Sequence, residues 1–276
     1  MSGVFTTAFP YYSQFGLPVS TPTKDLVEQS LLQLRLVLQQ QTAPSDTAAV
    51  LIEPVMGEGG YVPAPPEFLH GIRKICDENN LLLICDEVQS GFGRTGTMFA
   101  VEESGVRPDI LIFAKGVANG FPLSGIASTR ELMSKQKPGS MGGTYAGNAV
   151  SCAAGKAVIE VFKEERILDN VAVRSKQMFD FLEALRSTKA GSLIEDVRGR
   201  GLMVGVQFAA QEAGKPQIAP KVVQECLNRD MLLLSTSVFD VLRFIPPLNI
   251  TEQEMDDALR IFKESLEAVA KEVGYL

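Results

Sequence analysis

Residues 81–87 read LLLICDE and residues 109–115 read DILIFAK. Each is a short apolar run that ends on a charged side chain. A third run, TAAVLIEP at 47–54, has the same form. Runs this short and this apolar suit strands buried inside a sheet. Helical periodicity falls at 22–41, before them, and at 65–79, between them. Strands alternating with helices predict an α/β fold, a mostly parallel sheet with helices on both faces. Ligands of such sheets sit beyond the carboxyl ends of the strands. Glu53, Asp86, Glu87 and Lys115 stand at those ends. A carboxylate or ammonium placed straight after a buried strand is costly to desolvate, which draws attention to all four.

The pattern changes after the first half. Residues 149–170 and 171–191 carry long helical periodicities, and GRGLMVGVQF at 199–208 reads as a strand following a glycine turn. The last helix opens on Thr251 with Glu254 three residues later, the signature of a capping box. A boundary is therefore expected near residue 155. It would separate a large domain at 1–155 from a small C-terminal α+β domain at 156–276.

Composition narrows the chemistry. The 276 residues are 45% hydrophobic and 21% charged, enough to bury a sizeable core. A net charge of -7 argues against broad binding to nucleic acid or an anionic membrane. No apolar stretch approaches the length of a membrane span. The four cysteines, Cys76, Cys85, Cys152 and Cys226, form no CxxC pair and read as free, buried thiols of a reducing compartment. The single histidine, His70, falls in a helical pattern, which leaves no multi-histidine metal site.

Four segments occur in order: IEPVMGEGGYVPAP (52–65), ICDEVQSGFGRTGTMFA (84–100), PDILIFAKGVANGFPLSGI (108–126) and GGTYAGNAVSCAA (142–154). Together they closely resemble the class III aminotransferases, which include the 4-aminobutyrate, ornithine and acetylornithine enzymes. The resemblance implies a fold-type I transferase dependent on pyridoxal phosphate. Lys115 matches the lysine that forms the Schiff base with the cofactor and shuttles a proton. A lysine in a partly desolvated site would suit that work. Asp86 matches the acid that pairs with the pyridinium nitrogen and keeps the ring an electron sink. Val88 would pack on the ring face, on the same side as Asp86. Gln89 would bond the ring's 3-oxygen, and Glu53 would support the site. Thr144 matches a threonine that reaches the cofactor phosphate across a dimer interface. Arg243, in VLRFIPPLN, matches the arginine that binds an α-carboxylate. Glu58, in GEGG, matches a glutamate that occupies this arginine when the substrate has no α-carboxylate. Arg94 reads as structural.

By this resemblance the substrates are an ω-amino acid of the 4-aminobutyrate type and a 2-oxo acid such as 2-oxoglutarate. The assembly is a homodimer or larger. Acetylornithine or ornithine transamination, and a non-catalytic subunit that pairs with a partner, are the alternatives. Family chains also have a stretch upstream of the position of Met1. It holds the loop that cradles the cofactor phosphate at a helix N-terminus. A cytoplasmic location is expected, with a mitochondrial one open.

Overall fold

The computed structural model describes residues 3–209 and 217–275. Its main elements are α1 (Thr23–Gln40), β1 (Ala49–Ile52), β2 (Val55–Met56), β3 (Val62–Pro63), α2 (Pro66–Asn79) and β4 (Leu82–Asp86). They continue as β5 (Ile110–Phe113), β6 (Gly125–Ser128), α3 (Arg130–Ser134), α4 (Ala149–Glu164) and α5 (Ile167–Arg186). Then come β7 (Ile194–Arg200), β8 (Met203–Phe208), α6 (Ile218–Leu227), β9 (Leu234–Ser235), β10 (Val241–Phe244) and α7 (Glu252–Glu272). No described helix is long and apolar enough to cross a membrane.

The chain divides into two compact units. The first comprises residues 1–54, 64–92 and 97–165. Its sheet has the order β1-β4-β5-β6, with β1, β4 and β5 parallel and β6 antiparallel to β5. The three runs read from the sequence are thus the parallel strands. Helix α2 begins with Pro66 in its first turn and ends at Asn80 in a left-handed cap. Between these signals it buries Phe68, Leu69, Ile72, Ile75 and Cys76, which recur on one helical face. This face packs with Leu34 and Leu38 of α1 against Leu83 and Cys85 of β4. The opposite sheet face carries Leu51, Ile84 and Ile126, and Leu51 is 59% exposed. The boundary expected between 155 and 156 falls inside α4, and the unit closes at Glu165. Gly155 accounts for the packing of that helix. A Cβ there would lie 3.0 Å from the Leu123 side chain and 3.3 Å from Val117 O, so the helix passes close over the loop that follows Lys115.

The second unit comprises residues 55–63, 93–96 and 166–276. Its sheet is antiparallel in the order β7-β8-β10-β9. The expected strand at 199–208 is the return of the β7–β8 hairpin, turned at Gly201 with φ +55. Every residue of β8 is buried. Helix α7 carries the capping box read from the sequence, with Thr251 and Glu254 bonded reciprocally. Phe244 of β10 meets Phe262 of α7 edge to face, with ring centres 5.0 Å apart. The cysteines are free; Cys152 is exposed, against the expectation that all four are buried.

Candidate active site

The strand alternation of β4 sorts the two adjacent acids. Leu83, Cys85 and Glu87 are buried, whereas Leu82, Ile84 and Asp86 are half-buried. Asp86 ends the strand, paired in register with Ile112 of β5. Its Oδ1 accepts the Val88 N–H at 3.0 Å, which orients the carboxylate and leaves Oδ2 for another partner. This Asx-type bond also ends the strand geometry. Val88 therefore lies in a turn, where two-residue alternation no longer sets its direction. Val88 and Gln89 are both half-buried.

Glu87 is fully buried and structural. Its carboxylate accepts the N–H groups of Ala100 (3.0 Å) and Val101 (2.8 Å) and the Ser90 hydroxyl. Burial pushes its pKa up, and these three donors oppose the rise. It pins the turn that begins at Asp86 to the 3-10 helix Ala100–Ser104.

Lys115 follows β5 at the same sheet end as Asp86, one strand over. Its φ is +45, a left-handed conformation that a lysine adopts only where the surroundings impose it. Lys115 is exposed, where a partly desolvated site was expected. Thr144 is exposed on the turn before α4, and no described residue hydrogen-bonds its hydroxyl. Asn148, four residues on, caps α4 by accepting from Val150 and Ser151. Glu53 is half-buried after β1.

In the second unit, the hairpin of β2 and β3 carries the GEGG turn. Glu58 Oε1 accepts from Arg243 Nη1 at 2.7 Å, and the two side chains are 84% and 8% exposed. A buried guanidinium thus meets an exposed, displaceable carboxylate. The Arg243 guanidinium carbon lies 5.6 Å from the centre of the Tyr61 ring, in cation–π range. Its Nε is buried without a hydrogen-bond partner. Arg94 is structural, as read from the sequence. It donates to Leu202 O (3.1 Å) and Pro246 O (2.6 Å), and burial lowers its pKa to about 10.

The sequence profile described as "Aminotransferase class-III" matches residues 3–266. The chain belongs to the class III aminotransferases. It is 42% identical to 5-aminovalerate aminotransferase of Pseudomonas putida over 249 residues, 88% of this chain and 58% of that relative. It is 38% identical to 4-aminobutyrate aminotransferase of Escherichia coli, over 86% of this chain and 56% of the relative. It is also 38% identical to acetylornithine aminotransferase of Clostridium acetobutylicum, over 96% and 65%. This class III chain therefore spans a little over half to two-thirds of the length of these relatives. Among solved structures, taurine:2-oxoglutarate aminotransferase from Bifidobacterium kashiwanohense, in complex with PLP and glutamate, superposes with a TM-score of 0.85. That match is 26% identical and covers 95% of this chain and 60% of that one. Neighbours of this kind place the fold among the fold-type I transaminases.

Glu87 was legible only as one of the charged residues at the strand ends, and Tyr61 was not legible as a site-shaping residue. The only signal for Tyr61 was its place after two glycines. Its φ of +56 shows that the turn, not the side chain, dictates the backbone there.

Proposed function

We propose that the chain carries the amine, acid and carboxylate-binding residues of an aminotransferase acting between an ω-amino acid of the 4-aminobutyrate type and 2-oxoglutarate. The observation that carries this reading is the ion pair of buried Arg243 with exposed Glu58. An α-carboxylate would take Arg243 as a two-toothed partner by displacing Glu58. A donor with no α-carboxylate leaves Glu58 in place, so one site serves both substrates. The names of the relatives from Pseudomonas putida and Escherichia coli are those of ω-amino acid enzymes.

The donor set fits pyridoxal phosphate. Asp86 presents a free carboxylate oxygen, already oriented by Val88, for a ring nitrogen. Lys115 presents an exposed primary amine at the same sheet end for the aldehyde. When bound, the cofactor supplies the electron sink for the substrate carbanion. Lys115 Nζ takes and returns the substrate proton, and Asp86 keeps the ring nitrogen charged. Val88 would pack on the ring face, Gln89 would hydrogen-bond the ring's 3-oxygen, and Glu53 would be a supporting acid near the cofactor. Thr144, presented on an exposed turn, serves the phosphate of a neighbouring subunit in a homodimer.

The test is to add pyridoxal phosphate to the purified protein and follow glutamate formation from 2-oxoglutarate. 4-Aminobutyrate, 5-aminovalerate and N-acetylornithine serve as parallel donors. Turnover with the first two and little with the third is expected. Preference for N-acetylornithine, the donor named by the Clostridium acetobutylicum relative, would overturn the assignment to donors of the 4-aminobutyrate type.

A further inference from the structure

The turn that carries Glu58 rests on a point of the second unit's sheet where there is no side chain. Gly205 lies in the middle of β8, and a Cβ there would come within 2.6 Å of Gly60 O. Glycine inside a strand often marks such a close backbone approach. Gly205 partners Arg198 of β7 on one side and Arg243 of β10 on the other. The two arginines therefore flank the notch in a single row. Arg198 Nε donates to Gly60 O at 3.1 Å. Arg198 Nη1 is itself held by Asp196 Oδ2 (2.9 Å) and Gln207 Oε1 (2.8 Å), and Gln207 by Glu195 (2.8 Å). Gly60 is closely confined, since a Cβ on it would lie 3.0 Å from Arg198 Nη2 and 3.2 Å from Val241. Glu58 is two residues before this anchor, and Tyr61, the residue under Arg243, is one after it.

We propose that Arg198 and Gly205 are positioning residues for substrate specificity. They seat the Gly57–Tyr61 turn so that Glu58 can reach Arg243, and so set how readily Arg243 is released to a substrate carboxylate. The reason is energetic. An exposed carboxylate on a loose loop gains little from an ion pair, because ordering the loop offsets the attraction. A turn already fixed through its backbone removes much of that ordering cost. Arg198 is suited to the task because Asp196 and Gln207 fix its guanidinium plane before it meets Gly60. The inference rests on the carboxylate role proposed for Arg243 and deepens it.

The experiment follows the Arg243 guanidinium by nuclear magnetic resonance in protein labelled at arginine. The two Nη groups interchange rapidly unless an ion pair holds one of them. Glu58→Gln should speed the interchange roughly tenfold over wild type, the scale of a modest ion pair. Arg198→Met and Gly205→Ala should speed it nearly as much, although Glu58 and Arg243 are both intact. Neither should add to the effect of Glu58→Gln. Arg198→Lys, which retains a donor, should restore the slow rate in part. Wild-type interchange in both folded seat variants would overturn the proposal, as would a Glu58→Gln variant that behaves like wild type. If Gly205→Ala fails to fold, Arg198→Met carries the same test. In the assembled holoenzyme, Arg198→Met should lower kcat/KM for 4-aminobutyrate about tenfold relative to that for 2-oxoglutarate. An unchanged ratio alongside a faster interchange would leave the seat standing and remove the substrate role proposed for Arg243.

Discussion

Glu87→Gln offers a quantitative test of how the turn after Asp86 is built. Glu87 is 0% exposed, and its two oxygens receive two backbone N–H groups and one hydroxyl. Protonated, the acid still satisfies all three. One oxygen accepts from Val101, while the hydroxyl oxygen accepts from Ala100 and gives its proton to Ser90. Glutamine cannot do the same, because its amide nitrogen faces the Ala100 N–H donor to donor. An orphaned buried N–H costs about 1–3 kcal/mol, which is the expected loss against the protonated acid. The pH dependence follows from burial, which raises the folded pKa of Glu87 above its ordinary 4.5. The folded state thus holds this proton more tightly than the unfolded state. That contribution is complete below the unfolded value and is lost as pH rises through the folded one, at about 1.4 kcal/mol for each tenfold difference in proton affinity between the two states. The gap between wild type and variant should therefore be widest in acid and narrow toward neutral pH. Urea unfolding of both proteins across a pH series measures it, since the other titrating groups cancel in the difference. A gap that widens with pH would show that the ionised carboxylate is the stabilising form and that this account of the turn is wrong.

Three further outcomes are expected. Borohydride treatment of cofactor-loaded protein, followed by peptide mapping, should label Lys115; a label on Lys156, which is exposed on α4, would remove Lys115 from its role. Asp86→Asn should keep the fold, because an amide oxygen can still accept from Val88, while turnover of the assembled enzyme falls roughly 10²–10³-fold as for other lost electrostatic contacts. Near-normal turnover would refute the pairing with the ring. Arg243→Ala should weaken the 2-oxoglutarate half-reaction by about 2–5 kcal/mol and the ω-amino donor half-reaction by much less. Single-turnover rates that fall equally in both would end the proposed switch.

What the sequence disclosed and what it withheld have distinct physical grounds. The parallel strands were legible because LLLIC, DILIF and AVLI are short and apolar, with a helical period before AVLI and another between AVLI and LLLIC. The capping box at Thr251 was legible because both partners are local. Glu87 was not separable from Asp86, since both follow the same run. Only the register of β4 and the distant N–H groups of Ala100 and Val101 make one buried and structural and the other available at the sheet end. The exposure of Lys115 was equally hidden, because solvent access depends on what covers a strand end rather than on the strand. Arg243 could be matched by its motif, but its setting is non-local. It joins β10 to a turn 185 residues earlier in the chain. Gly205 gave a local hint, as a glycine within MVGVQF, yet nothing in its neighbourhood names Gly60 as the group that fills the space. The same contrast explains why family motifs identify the reacting groups more readily than the residues that aim them. A reacting group is fixed by its chemistry, whereas an aiming residue such as Arg198 is fixed by whichever backbone carbonyl the fold brings to it.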